Sequence, residues 1–323
     1  VLDAPAAVLT RGLVKRFGEV LAVDGLDLEV RAGELFGLLG PNGAGKTTTI
    51  NLLTGLARPD RGEFSIAGLD CTRRPRSAQH LIGVVPDESN LYPELTGFDN
   101  LSFCASLHGI PRRERAARAT KLLSEFGLAE AAGRKFAGYS KGMKRKLTIA
   151  AGIIHHPSVL FLDEPTTGID VQSARHIRQL IADLHRAGTS ILLTTHYIEE
   201  AERLCGRVAF IVSGRIVRTD TVAALLEPVR ERQLLELTVS TNPGAAIELL
   251  SRAFGEARFT AVDDSRIRAE SSAPLPVGPL VRALEEQGIE VIEARRVRPT
   301  LEEVFVATTG LEATALRTEK EKK

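Results

Sequence analysis

The sequence predicts an α/β fold in which a parallel-strand core carries antiparallel β and inserted helical subdomains, with a small α+β domain after it. Three observations predict it. First, an apolar run at Leu35–Leu39 stops at Gly40 and gives way to a helical pattern over Thr47–Leu56, as a buried strand does when it feeds a loop and a helix. Second, strand patterns at Val159–Leu162, Ser190–Thr194 and Val208–Val212 flank a helical stretch, Val171–Arg186, closed by Gly188. Strands alternating with helices argue for a parallel sheet. Third, the pattern restarts after Pro228, and 323 residues are more than one typical core holds.

In chain order, residues 6–30 read as two or three short strands, with apolar and polar residues alternating in Leu26-Asp27-Leu28-Glu29-Val30. Phe64–Ile66 and Ile82–Val85 are further strands. From Tyr92 to His156 the chain is mainly helical and rich in Arg and Ala, with Pro111 opening one helix. This stretch interrupts the α/β alternation as an inserted subdomain. Residues 1–227 therefore form the first domain and 228–310 the second. The second runs strand (Leu234–Val239), helix (Ala245–Phe254), two strands (Arg258–Val262 and Arg266–Ala269), helix (Val277–Gln287), strand (Val291–Arg295), then a short helix (Leu301–Thr308). That β-α-β-β-α-β order predicts a split βαβ sandwich. The charged end, residues 311–323, is expected to be a solvated, disordered tail.

Bulk charge narrows function. A formal net charge of +1 gives no basic field for nucleic acid. The three cysteines, Cys71, Cys104 and Cys205, form no CxxC pair, so neither a disulfide framework nor a zinc site is expected. No apolar run approaches the ~18 residues of a membrane span, and no signal peptide is expected at the N-terminus. Any membrane link must come through a partner.

Gly40-Pro41-Asn42-Gly43-Ala44-Gly45-Lys46-Thr47 matches the phosphate-loop pattern, and it lies between a buried strand and a helix, as that pattern requires. Its glycines let the backbone curl, so the amides of Asn42, Gly43, Ala44 and Gly45 turn inward towards phosphate oxygens. The helix start aims its positive dipole end at the same place. Lys46 reaches the β- and γ-phosphates, the Thr47 hydroxyl binds Mg²⁺, and Thr48 reaches the α-phosphate. A P-loop NTPase core follows. Downstream, the strand Val159–Leu162 ends in Asp163-Glu164. Asp163 is the expected Mg²⁺ ligand and Glu164 the base that orients the attacking water.

Further segments resemble the ATP-binding subunits of ATP-binding-cassette (ABC) transporters. Tyr139-Ser140-Lys141-Gly142-Met143-Lys144-Arg145-Lys146-Leu147 is similar to the ABC signature, Thr167-Gly168-Ile169-Asp170 to the D-loop, His196 to the switch histidine, and Phe17 to the aromatic that stacks on adenine. The resemblance covers Leu9–Leu225. It implies ATP and Mg²⁺ as ligands and a homodimer in which the Ser140 and Gly142 helix end of one subunit caps the γ-phosphate held by the other. Asp170 would join that nucleotide interface. Lys144 and Arg145 are expected on a solvated helix face.

Two departures stand out. The family's loop after the strand at Ile82–Val85 usually carries Gln, and here that place holds Asp87. The shorter, anionic side chain is expected to sense nucleotide with altered metal affinity. Met143 replaces the usual Gln, and the Tyr-Ser-Lys-Gly-Met form resembles drug, sodium and lipid exporters whose permease is a separate chain. Arg298-Pro299-Thr300-Leu301-Glu302-Glu303-Val304-Phe305 resembles the C-terminal ending of that branch. The second domain is then expected to regulate activity or strengthen dimerisation. The resemblance places the protein at the cytoplasmic face of the membrane, driving export by ATP hydrolysis through a membrane permease. The alternative is a soluble ABC ATPase acting on ribosomes or DNA. Such proteins usually carry two cassettes or an inserted coiled coil, and this chain has one phosphate loop and no heptad run.

Overall fold

The computed structural model describes residues 6–74, 76–230, 233–297 and 300–311. Of the sequence expectations, Arg298, Pro299 and the tail from residue 312 lie outside these. Contacts divide the chain into two compact units. One comprises residues up to Thr221 together with those from Thr308, and the other is Val222–Ala307.

The first unit begins with an antiparallel sheet. Strands β1 (Val8–Phe17) and β2 (Val20–Val30) pair as a hairpin, and β4 (Arg61–Ile66) and β5 (Leu69–Asp70) extend it in the order β2-β1-β4-β5. Val8, Leu13, Val23, Leu26, Leu28 and Val30 are buried in one cluster with Phe36, Leu38 and Phe161. The second sheet has six strands in the order β10-β9-β3-β8-β7-β6. These are β3 (Leu35–Leu39), β6 (Ile82–Val85), β7 (Val159–Asp163), β8 (Ser190–Thr195), β9 (Arg207–Val212) and β10 (Arg215–Thr221). All neighbours are parallel except β9 and β10. Every residue of β3, β7 and β8 is buried, as expected of strands covered on both faces.

Helix α1 (Lys46–Leu53) follows β3. Between β6 and β7 come α2 (Gly97–Leu107), α3 (Arg112–Glu125) and α4 (Lys141–Ile153), the inserted helical region. Pro111 is the N-cap of α3, one place before its first residue, where its missing N–H costs nothing. Helices α5 (Val171–Arg186) and α6 (Ile198–Leu204) follow β7 and β8.

The second unit starts at α7 (Val222–Arg230). It continues with β11 (Gln233–Val239), α8 (Pro243–Ala253), β12 (Arg258–Ala261), β13 (Arg266–Ser271), α9 (Val277–Glu285), β14 (Val291–Val297) and most of α10 (Leu301–Thr309). The sheet order is β12-β13-β11-β14, every pair antiparallel. Strand β13 thus lies between β11 and β12, which makes this a split βαβ sandwich. Leu235, Leu237 and Val239 alternate onto the face that forms a core with Ala246, Leu250 and Leu280. Glu236 lies on the opposite face, buried between Arg268 at 3.0 Å and Arg295 at 2.7 Å.

Candidate active site

The register of the parallel strands gathers the site. Asp163 pairs with Thr194 across β7 and β8, and Leu39 with Thr195 across β3 and β8. Val85 of β6 pairs with Leu162 of β7. Four loops therefore emerge at one level, at the carboxyl ends of the strands, where open α/β sheets hold their ligands.

The loop after β3 is bound tightly into the fold. Gly45 is the N-cap of α1 with φ at 102°, and a Cβ there would lie 2.4 Å from the Ala22 carbonyl oxygen. Only glycine fits. No side chain caps α1, so its first amides remain available to an anion. Asn42, Gly43 and Thr47 are exposed along the loop, and Thr48 is half-buried. Lys46 is buried. Its Nζ donates to the carbonyls of Gly40 at 2.8 Å and Pro41 at 3.2 Å, and lies 3.2 Å from Glu164 Oε1. That last contact is an ion pair without hydrogen-bond geometry.

Strand alternation would send Asp163 and Glu164 to opposite sides. The chain avoids this because Glu164, just past the end of β7, adopts φ of 49°. A left-handed step is uncommon for a non-glycine residue and is concentrated at functional sites. The Glu164 carboxylate meets His196 Nδ1 at 2.7 Å and accepts from Thr167 Oγ1 at 3.0 Å. Burial pushes Glu164 upward, but the His196 hydrogen bond and the Lys46 charge outweigh it and hold the carboxyl below its usual range.

Asp163 shifts the other way. Burial raises it, and the neighbouring Glu164 and Asp87 add to this, against hydrogen bonds from the hydroxyls of Thr194 and Thr47. The Asp163 carboxylate and the Thr47 hydroxyl bonded to it form an all-oxygen donor set of the kind Mg²⁺ takes. Among the described residues no cluster of three or more His, Cys, Asp or Glu is arranged to hold a metal alone. Phosphate oxygens would complete such a shell. Asp87, expected in the loop after β6, is half-buried within electrostatic reach of Asp163.

Ser140 is the N-cap of α4, its hydroxyl accepting from Met143 N at 3.2 Å. Gly142 lies in the first turn, and a Cβ there would come 2.4 Å from Ser173 Oγ on α5. Asp170 caps α5 by accepting from Ser173 N at 2.9 Å, so the expected signature and D-loop segments meet at these two helix starts. Phe17 is 51% exposed, with Lys15 Nζ 5.2 Å from its ring centre. One ring face thus carries a cation held by Asp60.

One expectation fails. Lys144 is half-buried over the Phe136 ring, and Arg145, expected in solvent, is 6% exposed. Its guanidinium donates to backbone carbonyls of residues 86–87 and 163–165. The spacing carried the signal: Gly142, Arg145, Thr148 and Ile149 fall on one helical face, and all are buried. Sequence reasoning also missed Thr194, the partner of Asp163. It missed Glu200 too, a buried carboxylate that accepts from Thr166 Oγ1 at 2.8 Å behind the site.

A phosphate loop, an acidic strand end and a histidine bonded to one of its carboxylates define a nucleoside triphosphatase of the P-loop class. The ABC transporter family model matches residues 23–167. The daunorubicin resistance ATP-binding protein DrrA3 of Streptomyces coeruleorubidus is 39% identical over 95% of this chain and 97% of its own length. The Nod factor export ATP-binding protein I of Burkholderia orbicola is 38% identical over 94% of this chain and 96% of its own. The linearmycin resistance ATP-binding protein LnrL of Bacillus subtilis is 34% identical over 92% and 96%. Among solved structures, an ATP-binding subunit of an ABC transporter superposes with a TM-score of 0.63 at 30% identity, over 69% of this chain and 93% of that one. A post-hydrolysis dimer of the cassette MJ0796 bound to ADP and Pi gives 0.61 at 26% identity, over 67% of this chain and 98% of that one. The chain belongs to the ATP-binding subunits of ABC transporters, and its activity is ATP hydrolysis coupled to transport.

Proposed function

We propose that two copies of this chain clamp two ATP molecules and drive export through a separate membrane permease from the cytoplasmic face of the membrane. One observation carries the catalytic part: the Glu164 carboxylate is held between His196 Nδ1 and Lys46 Nζ at the mouth of the phosphate loop. In this reading Lys46 binds the β- and γ-phosphates, the amides of residues 42–46 hold phosphate oxygens, and Thr48 reaches the α-phosphate. Phe17 stacks on adenine with its open face. Glu164 accepts the proton of the attacking water, and His196 orients that carboxylate and the γ-phosphate. Thr47 and Asp163 would hold Mg²⁺, with Asp87 near by, and bound Mg²⁺ supplies charge neutralisation to the phosphates. Ser140, Gly142 and Asp170 face the nucleotide of the second copy. Residues 228–310 form an accessory domain that regulates activity or strengthens the dimer.

The relatives named for drug resistance and for Nod factor export support export as the direction, and their matches span nearly the whole chain. Among the described residues no helix is long and apolar enough to cross a membrane, so a permease chain would form the path. Co-purification with a polytopic membrane protein is the expected result, and recovery with ribosomes instead would favour the soluble alternative. Glu164→Gln tests the chemistry. ATP binding should persist, turnover should fall by about a hundredfold or more, and an ATP-bound dimer should accumulate. An active Glu164→Gln protein would contradict the assignment of the base.

A further inference from the structure

We propose that Arg145 is a positioning residue for hydrolysis: from the helix that carries Ser140 and Gly142, its guanidinium fixes both the backbone turn at Glu164 and the loop that carries Asp87. The proposal rests on the reading of Glu164 as the base.

The guanidinium contacts are unusual in number and target. Nε donates to Pro165 O at 2.8 Å, and Nη2 donates to Asp163 O at 2.8 Å and to Glu164 O. Nη1 donates to Pro86 O and to Asp87 O at 3.2 Å. Every nitrogen of the group is committed, and every acceptor is main chain from one of two catalytic loops. Successive carbonyls of an extended strand point in alternate directions, so three in a row cannot ordinarily reach one planar group. They converge here because the chain takes its left-handed step at Glu164. Arg145 therefore binds the turned conformation and could not bind the extended one in the same way. That turn is also what brings the Glu164 carboxylate to the same end of β7 as Asp163, against Lys46 and His196.

Charge leads to the same residue. The carboxylates of Asp87, Asp163, Glu164 and Glu200 all act on this buried guanidinium. It is the buried cation behind the acidic cluster, as Lys46 is the one at its mouth. A surface role would need none of this, and a general helix-packing role would not need carbonyls from these two loops. Position on α4 gives the contact its consequence. Arg145 is five residues from Ser140 on one helix, so displacement of that helix end moves the contacts at Pro86–Asp87 and Asp163–Pro165 together. Lysine cannot replace it, because a compact ammonium has three donors in a tetrahedral arrangement and no planar fork.

The test uses the full chain. Arg145→Lys should lower kcat for ATP about 30- to 100-fold, the scale of a misplaced catalytic group, with KM for ATP within about threefold of wild type. In the Glu164→Gln background, adding Arg145→Lys should leave the ATP concentration for half-maximal dimerisation within the same threefold, since that background has no base to position. A second variant, Arg145→Ala, should recover turnover on addition of guanidinium at millimolar concentration, with KM unchanged. A kcat for Arg145→Lys within threefold of wild type would overturn the proposal. So would loss of ATP-driven dimerisation in the double variant together with no guanidinium rescue, which would make Arg145 a structural residue only. An active Glu164→Gln protein would instead remove the base reading on which the proposal stands.

Discussion

At the scale of single residues, the site is decided by which charges face one another. Asp163 is raised by burial and by two further carboxylates, Glu164 and Asp87, whereas Glu164 is lowered because His196 and Lys46 outweigh its burial. Two adjacent acids thus differ in character for reasons that composition does not carry. Asp87 contributes negative charge where the family usually has a neutral amide, and in the proposed reading that charge would favour a divalent cation held by Thr47 and Asp163. Replacing it should weaken the cation's hold. Asp87→Gln is expected to raise the Mg²⁺ concentration for half-maximal ATPase activity about three- to tenfold, a modest effect because the group is half-buried and screened. Titrating wild type and variant with Mg²⁺ at fixed ATP decides it, and superimposable curves would leave Asp87 without a metal role. The sequence showed the identity of most of these residues, because the phosphate loop and the acidic strand end are local patterns. The helical spacing of α4 marks Arg145 as buried, but it does not show what Arg145 binds, because its partners are backbone carbonyls 20 and 59 positions away or similarly distant, and carbonyls have no letter of their own.

At the scale of elements, legibility followed burial. Strands β3, β7 and β8 are wholly buried and read as short runs centred on apolar residues, with Asp163 ending β7 and Ser190, Thr194 and Thr195 flanking the apolar middle of β8. Strand β10 alternates between exposed and half-buried residues and was not expected. Its marker is the two-residue turn Ser213-Gly214, with φ of 48° and 79°, the geometry of a tight hairpin joining β9 to β10. Strand β5 hides behind a similar pair, Ala67-Gly68. Between α4 and α5, the approach depends on Gly142. A Cβ there would lie 2.7 Å from Ser173 Cβ, so any side chain pushes the start of α4 off the start of α5. Gly142→Ala should lower stability by about 1–3 kcal/mol and impair ATP-driven dimerisation, since both helix starts carry residues of the proposed interface. Adding Ser173→Gly removes the obstacle at a cost of about 0.5 kcal/mol in helix propensity. Thermal melts of the single and double variants should show that partial recovery. A double variant no more stable than Gly142→Ala would place the need for glycine elsewhere, in backbone approach to phosphate.

At the scale of the whole molecule, the proposed reaction needs more than one copy. The Ser140 hydroxyl accepts from Met143 N, and the α4 start is exposed there, a helix end suited to an anion in a chain whose proposed phosphate site lies at α1. A two-fold dimer would place each α4 start over the partner's phosphate loop, and the solved dimer of a related cassette with ADP and Pi has the stoichiometry this requires. The arrangement makes a prediction that cannot be met within one subunit. Lys46→Ala should disable the phosphate pocket of its own chain and leave its Ser140 end intact. Ser140→Ala should do the reverse. Each homodimer then has two broken sites, and each should show little turnover. Mixed together, half of the dimers formed at random would be hybrids. In every hybrid, one site combines an intact Lys46 with an intact Ser140 from the other chain, while the second site carries both lesions. ATPase activity should therefore reappear on mixing, approaching about a quarter of the wild-type rate if single sites fire independently, and it should vary with the mixing ratio as the hybrid fraction does. Activity that stays at the level of the separate variants at every ratio would mean that Ser140 serves the nucleotide of its own chain, or none.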